Sequence, residues 1–81
     1  MTLKELFKKE SIWHKKITFL ETYHLMRTLK NPLWTQADTA KTFEISIGLV
    51  SEDLKLAKKI RENGELKKLS RNTALKRIRT K

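Results

Sequence analysis

The sequence predicts an all-α domain of about five helices, and three observations predict it. Apolar residues recur three and four positions apart through most of the 81 residues, while no segment alternates strictly over four or more positions with β-branched enrichment. Cap and stop residues divide that pattern into helix-sized pieces. Residues 34–57, WTQADTAKTFEISIGLVSEDLKLA, carry two helical patterns with a short glycine-free break between them, which is the rhythm of a helix-turn-helix.

Each element has its own signal. Thr2 with Glu5 fits a capping box and opens a first helix to about Lys9. Ser11 is the expected cap of a second helix, from Ile12 to about Lys30, which Asn31-Pro32 ends because the residue before proline is pushed out of the helical region. Thr35 with Asp38 caps a third helix, Gln36 to about Phe43. Glu44-Ile45-Ser46 is the turn, and Ser46 caps a fourth helix reaching about Glu62. Asn63-Gly64 is expected to close that helix in the left-handed conformation. A single turn over Leu66 to Leu69 and a last helix from Arg71 to about Arg79, capped by Ser70, complete the chain. One domain, 1–81, follows: N-terminal helices in 1–30, the helix-turn-helix in 34–62 and a basic helix in 70–79.

Composition bounds the function. A chain this small buries only about 60% of its unfolded surface, so its core is compact or completed by a partner. There is no cysteine, hence no disulfide and no thiolate metal site. No signal-peptide pattern and no apolar run near the ~20 residues of a membrane span is visible. A cytoplasmic, nucleoid-associated protein with no membrane partner is the expectation. The net charge is +10, and its distribution is uneven. Residues 1–30 hold seven basic against three acidic residues, residues 31–53 one against four, and residues 54–81 eleven against two. Such a surplus either solvates the surface or attracts a polyanion, and the size of the surplus favours nucleic acid.

In the second helix, Ile12, Trp13, Ile17, Phe19, Leu20, Tyr23 and Met26 fall within an arc of about 180°, wider than the stripe of an ordinary surface helix, with Leu25 and Leu29 outside it. Two readings are open: a central helix packed on both sides, or a homodimer seam through Trp13, Phe19, Tyr23 and Met26.

Within the helix-turn-helix, Ala40 is the small residue at the helix crossing. Phe43 and Ile45 flank the turn, Val50 and Leu54 point back into the crossing, and Thr39 and Leu49 sit beside them. The turn position that favours glycine is Glu44, at a cost of about 1 kcal/mol for positive φ. Gly48 lies inside the fourth helix, either tolerated there or allowing close approach of a partner. A helix entering the major groove presents Ser46, Ile47, Gly48, Ser51, Glu52 and Lys55 to the bases. That set has no Arg for guanine and no Asn or Gln for adenine; Ile47 suits a thymine methyl and Glu52 a cytosine amine. Thr35, Lys41, Lys58, Lys59, Arg61, Arg71, Arg77 and Arg79 are the expected phosphate contacts, with Ser46 beside them at a helix N-terminus. Asp53 is expected to pair with nearby lysines. The basic tail, LKKLSRNTALKRIRTK, reads as a core helix with a solvated face, as an arm on the DNA backbone or a groove insertion by Arg77 and Arg79, or more weakly as a membrane-surface helix.

The run SIGLVSEDLKLAKKI, followed by GEL and SRNTALKRI, resembles the DNA-binding core of the ParB partition-protein family. The resemblance covers residues 34–61 well and 62–78 loosely. It implies double-stranded DNA bound by a dimer, with Ser46, Ile47, Ser51 and Lys55 at the DNA face. The N-terminal nucleotide-binding domain and arginine-rich motif of that family are absent here, so only the binding module carries over.

Catalysis finds no support. His14 and His24 lie about 80° apart on the second helix with no carboxylate four residues on, and no phosphate loop or metal-ligand spacing occurs. No enzyme, cofactor, metal or small-molecule substrate is expected. The expected function is that of a small double-stranded DNA binder, a transcriptional regulator or accessory factor of a phage or mobile element. The alternative is an assembly or interaction protein that binds nucleic acid loosely.

Overall fold

The protein, seen in a computed structural model that describes residues 2–79, is built from five α-helices and one 3-10 turn, with no strand among the described residues. Lys81 of the basic tail lies outside them.

The first helix, α1 (Leu3–Lys9), starts where the Thr2 hydroxyl accepts from the Glu5 amide at 3.2 Å. The second, α2 (Trp13–Lys30), departs from the expected start. Ile12 caps it through its carbonyl, which accepts from Lys15 and Lys16, and no side chain contributes. Ser11 is one residue too early to reach the open amides, and the Glu10 carboxylate instead takes the Ile12 amide at 3.1 Å to turn the chain. At the far end the Asn31 amide donates to Arg27 O, and Asn31 Oδ1 accepts from Leu33 beside Pro32.

The third helix, α3 (Gln36–Phe43), carries the full Thr35–Asp38 capping box. It closes through a Schellman pair, Ile45 N–H to Ala40 O at 3.0 Å and Glu44 N–H to Lys41 O at 3.3 Å. That closure requires a left-handed residue, and Glu44 supplies it with φ 56° and ψ 48°. The cost anticipated at this turn is therefore present. The fourth helix, α4 (Ile47–Glu62), is capped by Ser46, whose Oγ accepts from the Leu49 amide at 3.1 Å.

The end of α4 corrects the expectation at Asn63-Gly64. Asn63 is extended, with φ −140°, and no glycine has positive φ. The chain leaves α4 by extending, and Asn63 Oδ1 then accepts from the Glu65 amide to start the 3-10 turn, Gly64–Lys68. A side-chain cap replaces the left-handed residue. The last helix, α5 (Arg71–Arg79), begins at Ser70, whose Oγ accepts from the Thr73 amide.

Two apolar clusters share α2 and α4 as their common walls. Phe7, Leu20, Ala40, Phe43 and Val50 form one, with Phe19, Tyr23, Ile45 and Leu54 packed against it. Ile17, Leu56, Ala57, Ile60, Leu66, Ala74 and Leu75 form the other, with Trp13, Leu69 and Ile78. Phe43, fully buried, takes the rings of Phe7, Tyr23 and Phe19 at 5.0, 5.2 and 5.9 Å. The aromatic arc of α2 thus packs within the chain: Phe19 and Tyr23 against Phe43, and Trp13 against the second cluster, its Nε1–H donating to Leu69 O at 3.0 Å. Of the residues read as a dimer seam only Met26 is exposed. No described helix is long and apolar enough to cross a membrane.

Candidate nucleic-acid interface

The α4 helix meets α2, α3, α5 and the 3-10 turn, which fixes which of its sides remains open. Val50, Asp53, Leu56, Ala57 and Ile60 are buried. Ser46, Ile47, Gly48, Lys55 and Lys58 are exposed, and Ser51 and Glu52 are half-buried between them. The positions expected to face bases therefore lie together on one open side of the first turns of α4. Ile47, 54% exposed, is an apolar side chain standing in solvent.

The two helix N-termini differ in charge. At α3, the Asp38 carboxylate accepts from the Thr35 amide at 2.9 Å and from its hydroxyl at 3.1 Å, so an anion already occupies that end. The backbone bond from Thr35 holds the Asp38 carboxyl below its ordinary range. At α4 the cap is the neutral Ser46, and no acidic residue occupies the first turn. The amides of Ile47 and Gly48, both exposed residues, precede the first intrahelical bond, Val50 N–H to Ser46 O, and so have no acceptor within the helix.

Most of the cations expected at phosphates have acidic partners inside the fold. Arg61 reaches back to the buried Glu21 of α2 at 2.9 Å. Arg71 binds the buried Asp53 through Nε at 3.2 Å and Nη2 at 2.6 Å. This corrects the expectation that lysines partner Asp53: the partner is an arginine one helix away, aimed at α4 by the packing of α5. Burial pushes the Asp53 carboxyl upward, more than Arg71 draws it down. Lys59 lies 3.6 Å from Glu62 on the same helix. Arg79 of α5 pairs with Glu52 across the groove between α4 and α5. Thr35 is engaged in its cap. Lys41 is exposed on α3, Arg77 is exposed on α5, and Lys55 and Lys58 have no carboxylate partner among the described residues.

Sequence reasoning missed the Thr39 network. The Thr39 hydroxyl accepts from Trp34 Nε1 at 2.8 Å and lies within hydrogen-bond distance, 2.6 Å, of His24 Nδ1. Burial lowers the His24 pKa and so favours the neutral imidazole. Arg27 covers the outer face of Trp34 at 4.5 Å. The network ties α2 to the start of α3 and so sets the position of the turn.

Comparison with protein-family models, with curated proteins and with solved structures finds no match to this chain. The likeness of its helix-turn-helix to the ParB core rests on the residues quoted above.

Proposed function

We propose that this chain is a small double-stranded DNA-binding module that lays the N-terminal half of α4 in the major groove. The observation that carries the reading is the open side of that helix: Ser46, Ile47 and Gly48 stand exposed together beside the half-buried Ser51, with Lys55 and Lys58 following. A groove about 12 Å wide admits one helix. The uncharged N-terminus of α4 suits a phosphate, through the amides of Ile47 and Gly48 and the Ser46 hydroxyl. Lys41, Lys55 and Lys58 hold the backbone on either side. As a role we assign transcription regulation, or an accessory part in a phage or mobile element.

The test is selection from random duplex DNA, followed by affinity measured across salt concentrations. Affinity falls steeply with salt. Lys55→Ala and Lys58→Ala weaken all sequences alike, whereas Ser51→Ala and Ile47→Ala change which sequences are preferred. No enriched motif, together with no effect of those substitutions, overturns the reading.

One observation favours protein interaction as a second role. Leu25, Met26, Leu29 and Leu33 stand exposed at the far end of α2, Leu29 and Leu33 at 85% and 83%. Pairing of two copies there, and not through the half-buried aromatic side packed within the chain, is the form of homodimer we propose. Sedimentation as a monomer at high concentration excludes it.

A further inference from the structure

We propose that Arg79, held against α4 by Glu52, is the guanine-reading side chain of this interface; the inference rests on the DNA-binding reading. The open side of α4 lacks the Arg, Asn or Gln that grips purines. The one arginine within α4, Arg61, turns away to Glu21. The fold brings another to that side from outside the helix-turn-helix. On α5, Ala74 and Leu75 are buried against α4 with Ile78 packed beside them. That packing leaves Arg79 on the rim of a groove of about 390 Å³ whose other rim is Glu52, Lys55 and Lys59.

Arg79 Nη2 donates to Glu52 Oε2. Glu52 lies four residues after Gly48 and three before Lys55, so the guanidinium is set beside the exposed positions of α4 and not along a remote flank. Its side chain remains 63% exposed. A guanidinium has five N–H donors in a planar fork, and one of them is engaged by Glu52. The remaining edge matches the O6 and N7 acceptors of guanine.

Pairing does two further things. It fixes a long side chain in advance, so less rotamer freedom is lost on binding. It also covers a carboxylate that would otherwise repel phosphate at the centre of the interface. Glu52 is accordingly a positioning residue and not a reader of cytosine. A purely structural role is a weak account, because exposed ion pairs contribute little to stability.

The test compares wild type, Arg79→Lys, Arg79→Ala and Glu52→Gln in duplex selection, each first checked for cooperative thermal unfolding. The wild-type motif contains a guanine whose replacement lowers affinity about 5- to 150-fold, the range for one bidentate contact. Arg79→Lys keeps the charge and the salt dependence but loses that preference, and Glu52→Gln blunts it. The proposal is overturned if Arg79→Lys keeps the guanine, if the motif contains none, or if Arg79→Ala only weakens all sequences alike. Absence of any duplex binding by the wild type overturns the DNA reading itself. A motif indifferent to Arg79 overturns this inference alone.

Discussion

Arg71 on α5 places both Nε and Nη2 on a single oxygen, Oδ1, of the buried Asp53 on α4. This is a buried polar tie between the basic helix and the helix-turn-helix, beside the exposed Arg79–Glu52 pair. The two partners are unequal, since Arg71 is 27% exposed and Asp53 only 4%. Arg71→Ala strands a buried carboxyl and is expected to cost about 3 kcal/mol. Asp53→Asn keeps an acceptor for the guanidinium and is expected to cost about 1 kcal/mol. Urea unfolding midpoints of the two variants test this order.

Glu44 holds a left-handed conformation in the turn and pairs with Lys4 of α1 at an exposed site. Glu44→Gly relieves about 1 kcal/mol of backbone strain and loses an ion pair worth about 0–1 kcal/mol. A net gain in stability is expected, read as a rise in Tm of a few degrees. A fall in Tm of Glu44→Gly shows that the Lys4 contact outweighs the strain.

Nothing lies within 4 Å of the position a Cβ on Gly48 would occupy. Gly48→Ala should therefore stabilise α4 by about 0.5–1 kcal/mol without a clash. If the DNA backbone approaches here, the same substitution weakens duplex binding while Tm rises. Opposite shifts in the two measurements identify close approach; unchanged affinity identifies simple tolerance.

His24 gives a dependence on pH. Burial lowers its pKa in the folded state below the ordinary 6.5, so between those two values the unfolded chain binds more protons. The stability contributed by neutral His24 is complete above pH 6.5 and is lost as pH falls through the folded-state value. Tm measured from pH 7.5 down to 5 is expected to fall. His24→Gln, which retains a partner for Thr39, should lose the part of this slope that belongs to the imidazole.

The legible parts of the fold were those governed by near neighbours. Thr35 and Asp38 are three residues apart and close the capping box that their identities announce. The turn at Glu44–Ser46 and the small Ala40 at the crossing were readable for the same reason. Asn63-Gly64 was misread because a glycine permits a left-handed closure but does not compel one, and the Asn63 side chain offered another cap. The pairs Glu21–Arg61, Glu52–Arg79 and Asp53–Arg71 join residues 40, 27 and 18 positions apart. Periodicity gives each helix a face but does not say which helix that face meets. The cation set accordingly divided into committed and uncommitted side chains only when the helices were seen packed.

Because α4 is gripped by α2, α3, α5 and the 3-10 turn together, its amides cannot open without releasing both apolar clusters. In hydrogen exchange the middle of α4 should be the slowest segment, opening only with global unfolding, while α1 exchanges early. The helix we assign to the DNA is thus the stiffest part of the molecule. On the DNA-binding reading we propose, it would enter the groove already ordered, and any adjustment of fit would fall to the duplex.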